Sequence, residues 1–391
     1  MEPLLVNQDS RFRRELTDLA LVLARKSAGF RRSLPESVLI SLADLVRSMN
    51  CYYSNLIEGH DTHPIDIERA LQNDYSSDAH KRDLQIEAKA YIKVQHWIDH
   101  GGLTGRQAVT ADGIREIHRM FCANLPPDML WSHVSDEPGC ERVAVTPGEW
   151  RTCDVRVGQH IAVSPGAVPR FMQRFEEVYR RQEGITESIL SMAPIHHRLV
   201  WIHPFLDGNG RVARLVSHAL LLESLDTGAI WSVARGLARR VIEYKALLAN
   251  CDRQRRNDLD GRGNLSEEAL SAFTRFFLTV CIDQVDFMES LARPEELRNR
   301  ILVWAEEESR MDRLPPKSGR VLEAILYRGE LPRGEVEQVV GTGERQARRI
   351  TSALLERGVL LSESTRAPLR LAFPATLAGR WMPGLFPDKV E

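Results

Sequence analysis

Apolar residues recur at helical spacing along most of this 391-residue chain. They lie at i, i+3, i+4 and i+7 in four long segments: ELTDLALVLARK, ESVLISLADLVRSMNCYYSNLIEG, KRDLQIEAKAYIKVQHWIDH and DGIREIHRMFCANL. That spacing buries one face of an α-helix. Gly59 follows the second segment and predicts where its helix stops, since glycine readily adopts the left-handed conformation that ends helices. The sequence therefore predicts a mainly α fold.

One stretch, from Pro138 to Pro169, departs from this pattern. It combines glycine and proline with short runs rich in valine and isoleucine. That composition predicts a small β-hairpin, or flap, inserted in a helical core. Helical patterns resume after it, from AVPRFMQRFEEVYRRQ to SEEALSAFTRFFLTVCIDQVDFMESL.

The C-terminal part predicts a separate module. MDRLPPKSGR reads as linker sequence, and three short helical patterns follow it. VVGTGER has the length of a helix-turn-helix turn, and VLLSESTRAPLRLAF can form a two-stranded wing. We expect an N-terminal helical region, a helical core with the flap, a linker and a winged helix-turn-helix domain, at residues 1–105, 106–295, 296–316 and 317–391.

Composition argues against a membrane protein and against a strongly basic one. The formal net charge is −2, so any affinity for nucleic acid must be local. No run approaches the ~20 apolar residues of a membrane span, and the N-terminal residues form no apolar signal segment. The six cysteines form no CxxC pair, which suits a reducing compartment; they are Cys51, Cys122, Cys140, Cys153, Cys251 and Cys281. We expect a soluble, cytoplasmic protein with no membrane partner.

The segment HPFLDGNGRVAR, residues 203–214, places two cations where a helix disfavours them. A glycine-rich turn precedes a helical pattern, so Arg211 and Arg214 fall in the first turn, on one face. A helix N-terminus is positive, and its free N–H groups attract anions. The arrangement predicts a bound anion, on which the backbone of residues 208–210 can converge without obstruction by Cβ atoms.

Two further residues of this segment suggest what the anion is. Asp207 offers a hard oxygen ligand for Mg²⁺ that bridges phosphate oxygens. His203 can act as a general base near neutral pH. Together they predict phosphoryl-type transfer from a nucleotide, although no Walker P-loop occurs. Taken singly, each residue also has a structural alternative, such as a helix-end histidine or a turn aspartate.

A second charge is misplaced in SNLIEG, residues 54–59. Glu58 lies in the last turn of its helix, where the dipole favours a cation. Ser54 lies one turn upstream on the same face. Glu58 and Arg214 would therefore satisfy each other, although acidic residues also end helices without such a partner.

The segment at 203–214 matches the pattern H-P-F-x-[DE]-G-N-G-R-x-x-R in full, and the chain thereby resembles the Fic family over about residues 50–290. The resemblance implies transfer of AMP from ATP, with Mg²⁺, to a Ser, Thr or Tyr hydroxyl of a target protein or of the chain itself. His203 would deprotonate the hydroxyl that attacks the α-phosphate, and Asp207 would hold Mg²⁺. The phosphates would be bound by Gly208, Asn209 (through backbone and side chain), Gly210, Arg211 and Arg214.

Other parts of the family pattern fit as well. RTCDVRVGQH resembles the flap that aligns a target segment by strand addition. Tyr244 matches a tyrosine near the adenine, whereas its neighbour, often a second tyrosine, is Lys245 here. Gly210 is intact where the phosphate-transferring branch has lysine, which favours adenylyl transfer. The flap residues concerned are Val155, Arg156, Val157 and Gly158.

The segment at 54–59 matches S/T-x-x-x-E-[GN], the inhibitory motif of the family, and its N-terminal position marks class II. Ser54, Glu58 and Gly59 supply the motif. By this resemblance Glu58 would pair with Arg214 and occupy the space of the γ-phosphate. Some relatives use the same glutamate to remove AMP, and class II relatives often pair, so we expect a homodimer and leave the reverse reaction open.

The C-terminal module supports an alternative function, that of an ATP-sensing DNA-binding regulator. Ten Lys and Arg face seven Glu between Lys317 and Pro374. Basic residues on a recognition helix suit DNA, although winged helices also dock proteins. The intact His203 and Asp207 favour the enzyme, since a pure sensor needs no base. The residues concerned are Arg345, Arg348, Arg349 and Ser352 on the helix, with Arg366 and Arg370 in the wing.

Overall fold

Helices dominate the chain, as the apolar spacing predicts. The computed structural model describes residues 1–133 and 142–386, so Cys140, the start of the predicted flap stretch and the last five residues lie outside the described residues. The α-helices of the described chain are α1 Arg13–Arg31, α2 Glu36–Ile57, α3 Pro64–Leu71, α4 Ala79–Asp99, α5 Gly105–Ala108, α6 Ala111–Cys122, α7 Val168–Tyr179, α8 Ile185–Ile202, α9 Asn209–Leu225, α10 Val233–Arg239, α11 Val241–Cys251, α12 Glu267–Ala292, α13 Pro294–Arg310, α14 Ser318–Arg328, α15 Val336–Val340, α16 Glu344–Glu356 and α17 Ala378–Trp381.

Two compact units divide the chain, and neither is continuous in sequence. Unit 1 contains residues 1–27, 50–227 and 232–284, and unit 2 contains residues 28–49, 228–231 and those from 285 onward. This division cuts across the boundaries predicted after residues 105 and 295. All residues of the two motifs at 54–59 and 203–214 fall in unit 1.

Helix α9 is the central element of unit 1. Helices α4, α5, α6 and α8 pack against it, and every residue from Arg211 to Leu221 is buried. A helix that is buried on all sides must carry apolar or paired side chains all round. The arginines near its N-terminus therefore need partners inside the protein.

Two short antiparallel strand pairs interrupt the helices of unit 1. Strands β1 Trp131–His133 and β2 Arg142–Ala144 form the first pair. The second pair, β3 Arg156–Val157 and β4 His160–Ile161, is the predicted hairpin. Its register sets Arg156 opposite Ile161 and Val157 opposite His160, with Gly158 in the turn at φ +58°. We call residues 155–162 the flap.

Unit 2 contains a small three-stranded sheet beside short helices. Helix α14 is followed by β5 Glu330–Leu331, then by α15 and α16, and then by β6 Leu360–Leu361 and β7 Leu369–Leu371. The strands are antiparallel in the order β5-β7-β6. The strands β6 and β7 occupy the segment expected to form the wing. The assignment of this module as a winged helix stays a prediction.

The linker predicted at residues 296–316 is wrong for residues 296–310, because these residues belong to helix α13. Pro294 starts the helix, where its missing N–H costs nothing, and Glu295 and Glu296 lie in its positive first turn. Leu297, Ile301 and Trp304 bury one face. The helix is stabilised by packing, with α13 against α14 and α17.

No helix in the two described ranges combines the length and the apolar character that a membrane crossing requires.

Candidate active site

The loop between α8 and α9 holds the motif of residues 203–214 in a fixed shape. Helix α8 ends at Ile202, and His203 follows in the left-handed conformation with φ +51°. Arg151 holds this turn from outside. Its Nε donates to the His203 carbonyl at 2.7 Å, and its backbone N–H donates to the Pro204 carbonyl at 2.9 Å.

Arg151 also holds the base of the flap. Its Nη1 donates to the Cys153 carbonyl at 2.8 Å, and its Nη2 donates to the Val163 carbonyl. The side chain is buried. One guanidinium therefore ties the flap to the end of α8, and nothing in the sequence motif predicts this role for Arg151.

The Asn209 side chain braces the loop from inside. Its Oδ1 accepts from the Phe205 N–H at 2.9 Å, and its Nδ2 donates to the Phe205 carbonyl at 2.9 Å. The residue is 3% exposed. These bonds use one of the two Nδ2 hydrogens and one lone pair of Oδ1, so the side chain keeps a second N–H, and its binding to phosphates stays a prediction.

His118 of α6 supports the same loop, and the sequence did not predict it. Its ring stacks on Phe205 with centroids 3.8 Å apart and planes 7° from parallel. The Gly148 N–H donates to Nδ1 at 2.9 Å, so the ring proton of the neutral histidine sits on Nε2. Burial lowers the pKa of His118 to about 4, which keeps the ring neutral.

His203 is held as a free base. Burial lowers its pKa to about 4, so the imidazole is neutral at physiological pH. Its Nδ1 lies 3.3 Å from the Val200 carbonyl, which can only accept. The proton therefore belongs on Nδ1, and Nε2 keeps the lone pair that a general base needs.

Asp207 stands at the mouth of the site. Its side chain is 51% exposed, and one carboxylate oxygen lies 3.4 Å from Nη2 of Arg211. The surrounding protein desolvates the carboxylate and raises its pKa above the ordinary value. The described residues hold no cluster of three or more metal-ligating side chains. A single accessible carboxylate suits Mg²⁺, which keeps several waters and phosphate oxygens rather than a protein cage.

Arg214 is buried and donates three hydrogen bonds, two to Ser54 and one to Glu58. It lies in the second turn of α9, rather than the first turn predicted, because the helix begins at Asn209. Its Nε donates to Ser54 Oγ at 2.7 Å, and its Nη2 donates to the Ser54 carbonyl at 3.3 Å and to Glu58 Oε1. The structure thus brings together the three side chains that the two misplaced charges suggested.

Glu58 occupies the anion position at the start of α9. It follows the last residue of α2, and Gly59 turns the chain away at φ +87°. Its carboxylate lies so close above Gly210 that a Cβ at that position would clash with Oε1. Burial raises the pKa of Glu58, but Arg214 and Arg211 outweigh that effect and hold it below the ordinary value. The anion that the helix N-terminus calls for is thus a carboxylate of the chain itself.

Arg211 contacts a buried carboxylate other than Glu58, that of Glu87. Its Nη1 contacts Glu87 of α4, which is 4% exposed, and its guanidinium lies 5.0 Å from the centre of the Phe121 ring. The other oxygen of Glu87 lies 3.0 Å from Nδ1 of His60, two residues beyond Glu58. Glu87 therefore connects Arg211 to the segment that carries Glu58. No local pattern predicts a role for Glu87 in the site, because its partners lie far away in the chain.

Tyr244 is placed in the core rather than on an open surface. It is 3% exposed, and its hydroxyl lies 2.7 Å from Nε2 of His196. Nδ1 of His196 lies 2.9 Å from Ser217 Oγ, which donates to the Ala213 carbonyl of α9. This chain of contacts supports α9 beneath Arg214. A contact of Tyr244 with adenine stays a prediction.

The four predicted flap residues differ in their exposure to solvent. Val155 is buried, whereas Arg156 and Gly158 are exposed and Val157 is 46% exposed. The free edges of a two-stranded hairpin can accept a third strand. Among the described residues, no hydrogen bond joins a side chain of α9 or of residues 203–208 to the edge of this hairpin.

We predict that Asn209→Asp lowers the free energy of unfolding by about 1–3 kcal/mol in the absence of any ligand. Aspartate can accept from the Phe205 N–H but cannot donate to the Phe205 carbonyl, which is then left buried and unpaired. Urea denaturation followed by circular dichroism measures the change, with Asn250→Asp as a control outside the loop. Equal stability of the two variants would show that the brace contributes nothing.

Comparisons with known proteins agree with this geometry. Residues 108–221 match the Fic/DOC family. Protein adenylyltransferase Fic of Drosophila grimshawi is 26% identical over 211 residues, which cover 54% of this chain and 38% of that protein. Its namesake from Drosophila melanogaster is 31% identical over 180 residues, which cover 44% and 32%. The chain thus spans well under half the length of these curated relatives.

A solved structure shares the fold. A Fic family protein from Desulfovibrio desulfuricans G20 superimposes with a TM-score of 0.55 over 94% of this chain and 98% of that chain, at 16% identity. The matched segment includes α6, the flap, α8 and most of α9, which are the elements that build the loop at residues 203–214. Residues 108–221 are therefore similar to the Fic/DOC family, and the chain shares the fold of a solved Fic family protein.

Proposed function

We propose that the chain is a protein adenylyltransferase that Glu58 holds inactive until a nucleotide displaces it. The observation that carries the proposal is the Glu58 carboxylate, bound to Arg214 and lying over Gly210 at the N-terminus of α9. The name of the curated relatives, protein adenylyltransferase, supports the type of reaction. The single arginine can bind a carboxylate or a phosphate, but not both.

ATP would bind where Glu58 now lies. The backbone N–H groups of residues 208–210 and the positive end of α9 favour the triphosphate. Arg214 would exchange the Glu58 carboxylate for a phosphate, and Arg211 would add a second guanidinium. Asn209 contributes by keeping the loop in shape. Asp207 would hold Mg²⁺, which neutralises phosphate charge when bound.

His203 would act as the general base. Its Nε2 would take the proton of a Ser, Thr or Tyr hydroxyl as that oxygen attacks the α-phosphorus and pyrophosphate leaves. The pKa near 4 keeps the imidazole ready over the whole neutral range without a preceding deprotonation. The flap would align the target segment beside the base by strand addition. Most of the catalytic effect would come from positioning and charge neutralisation.

We predict that Glu58→Gly, incubated with ATP and Mg²⁺, gains the mass of AMP at least about tenfold faster than wild type. The glycine removes the carboxylate that competes for Arg214. The double variant Glu58→Gly/His203→Ala should gain no AMP, because it lacks the base. Intact-mass spectrometry of the purified chain measures the adducts.

Glu183→Gly is the matched control, since Glu183 is exposed and outside both motifs. A wild-type rate in Glu58→Gly would remove the inhibitory role of Glu58. Equal rates with and without His203 would remove its role as base. If Glu58 instead directs water in the reverse reaction, an adenylylated wild-type chain should lose AMP faster than an adenylylated Glu58→Gly chain.

A second candidate, DNA binding, is favoured by the outer face of α16. Arg345, Arg348, Arg349 and Ser352 are all exposed there. Exposed arginines along one helix suit phosphate contacts. Two of the five candidate arginines are already ion-paired: Arg348 with Glu344, and Arg370 with Glu363. These ion pairs reduce the positive charge that the module offers to DNA. The docking of a protein therefore fits this surface equally well.

We predict that, if the module binds DNA, the double variant Arg345→Ala/Arg349→Ala weakens binding to a mixed-sequence duplex and lowers its salt dependence. Each lost phosphate contact reduces the slope of log affinity against log salt by about one. Fluorescence anisotropy between about 50 and 200 mM salt measures both quantities. Arg310→Ala on α13 is the control. Binding that is absent in wild type, or unchanged in the double variant, would exclude this function for α16.

A further inference from the structure

The side chain of His160 attaches the second strand of the flap to the helical core. Its Nε2 lies 2.8 Å from the Trp201 carbonyl in the last turn of α8. Its Nδ1 lies 3.3 Å from Oδ2 of Asp252, the residue that follows α11. The side chain is 17% exposed. His160 thus joins the flap to two helices of the catalytic core.

Both partners of His160 are acceptors. A carbonyl oxygen cannot donate, and an ionised carboxylate cannot donate either. A neutral imidazole carries only one N–H, so it can satisfy one of the two contacts but not both. The geometry around His160 is therefore that of an imidazolium ion.

Asp252 is held in the ionised form by its other neighbours. Arg198 donates from Nη1 to Nδ1 of His197 at 2.8 Å, so the proton of His197 must sit on Nε2. That nitrogen lies 3.0 Å from Oδ1 of Asp252 and donates to it. Burial raises the pKa of Asp252, but the hydrogen bonds from His160 and His197 outweigh it and bring the value to about 2.

The charged and titratable groups around His160 come from three directions. Asp252 faces it from the end of α11, and Arg151 acts on it from the segment before the flap. His197 and His203 belong to the α8 side, and burial lowers the pKa of each to about 4, so both are neutral. Burial and Arg151 lower the pKa of His160, whereas Asp252 and the Trp201 carbonyl raise it. The second effect is the larger, so the pKa lies above its ordinary value.

We propose that His160 is a positioning residue: its protonated ring seats the flap against α8, and loss of that proton releases the flap. The bearing of this seat on AMP transfer rests on the proposed function, since the flap is the segment that would align the target. The seat itself is a property of the apo protein. The sign follows from the raised pKa: the stabilisation is complete below the ordinary value near 6.5 and is lost as pH rises through the raised value.

The experiment is amide hydrogen exchange by mass spectrometry on peptides that cover the flap, at about pH 6 and about pH 8.5, corrected for the intrinsic rate. No nucleotide or target is added. We expect the opening equilibrium of the wild-type flap to increase about tenfold for each unit by which folding raises the pKa of His160. His80→Gln, on the exposed start of α4, should behave as wild type.

The decisive variant is Asp252→Asn. Its carboxamide can donate to Nδ1 of a neutral His160 while Nε2–H still donates to the Trp201 carbonyl. The flap should then stay protected at both pH values, which a merely destabilising substitution would not achieve. His160→Gln, which has no titrating ring, should give the same flap protection at both pH values and less than wild type shows at about pH 6.

Equal flap protection at both pH values in wild type would overturn the proposal. So would an undiminished pH difference in Asp252→Asn. Neither result would touch the proposed adenylyltransferase activity, which the mass measurement on Glu58→Gly tests separately. Conversely, absence of AMP transfer in Glu58→Gly would leave the protonated seat of the flap intact and remove only its link to a target.

Discussion

The site is organised around a guanidinium that cannot be left alone. Arg214 is 2% exposed in the middle of unit 1, and an unpaired buried charge costs several kcal/mol. The fold resolves this with Ser54 and Glu58, brought from the end of α2. The positive end of α9 makes the same place favourable for any anion. A pairing that stabilises the chain therefore also fills the anion position at the start of α9.

The rest of the site keeps that position in shape. Asn209 and His118 hold the loop at Phe205, and Arg151 holds the end of α8 together with the base of the flap. All three side chains are buried: Asn209 and Arg151 bond to backbone groups, and His118 accepts from the Gly148 N–H while its ring stacks on Phe205. The loop is thus preorganised before any ligand arrives, which is how enzymes reduce the cost of aligning reacting groups.

Local signals in the sequence predicted the elements and their ends well. Apolar spacing predicted the helices, and Gly59 marked the end of α2. Short valine-rich runs separated by glycine and proline predicted the flap. Electrostatics alone suggested that Glu58 and Arg214 meet, because each charge is unfavourable at the helix end where the sequence predicts it. Helix α13 was missed although its signals were present: a proline at the start, acidic residues in the first turn and a buried apolar face.

Long-range partners could not be predicted in the same way. The residue pattern around Glu87 predicts an amphipathic helix and nothing more. The contact of Glu87 with Arg211 depends on how α4 packs against α9. The direction of the Asn209 side chain depends on the closed turn at Phe205. Sequence identifies the chemistry that a residue can perform, whereas packing decides which of its partners it meets.

Calorimetric titration of Mg²⁺–ATP into wild type and into Glu58→Gln tests most directly whether carboxylate and phosphate compete for Arg214. Glutamine keeps the size of the side chain and removes its charge. If the two anions compete, the variant binds ATP at least about tenfold more tightly than wild type, equivalent to about 1.4 kcal/mol. Equal affinities, or tighter binding by wild type, would contradict that competition.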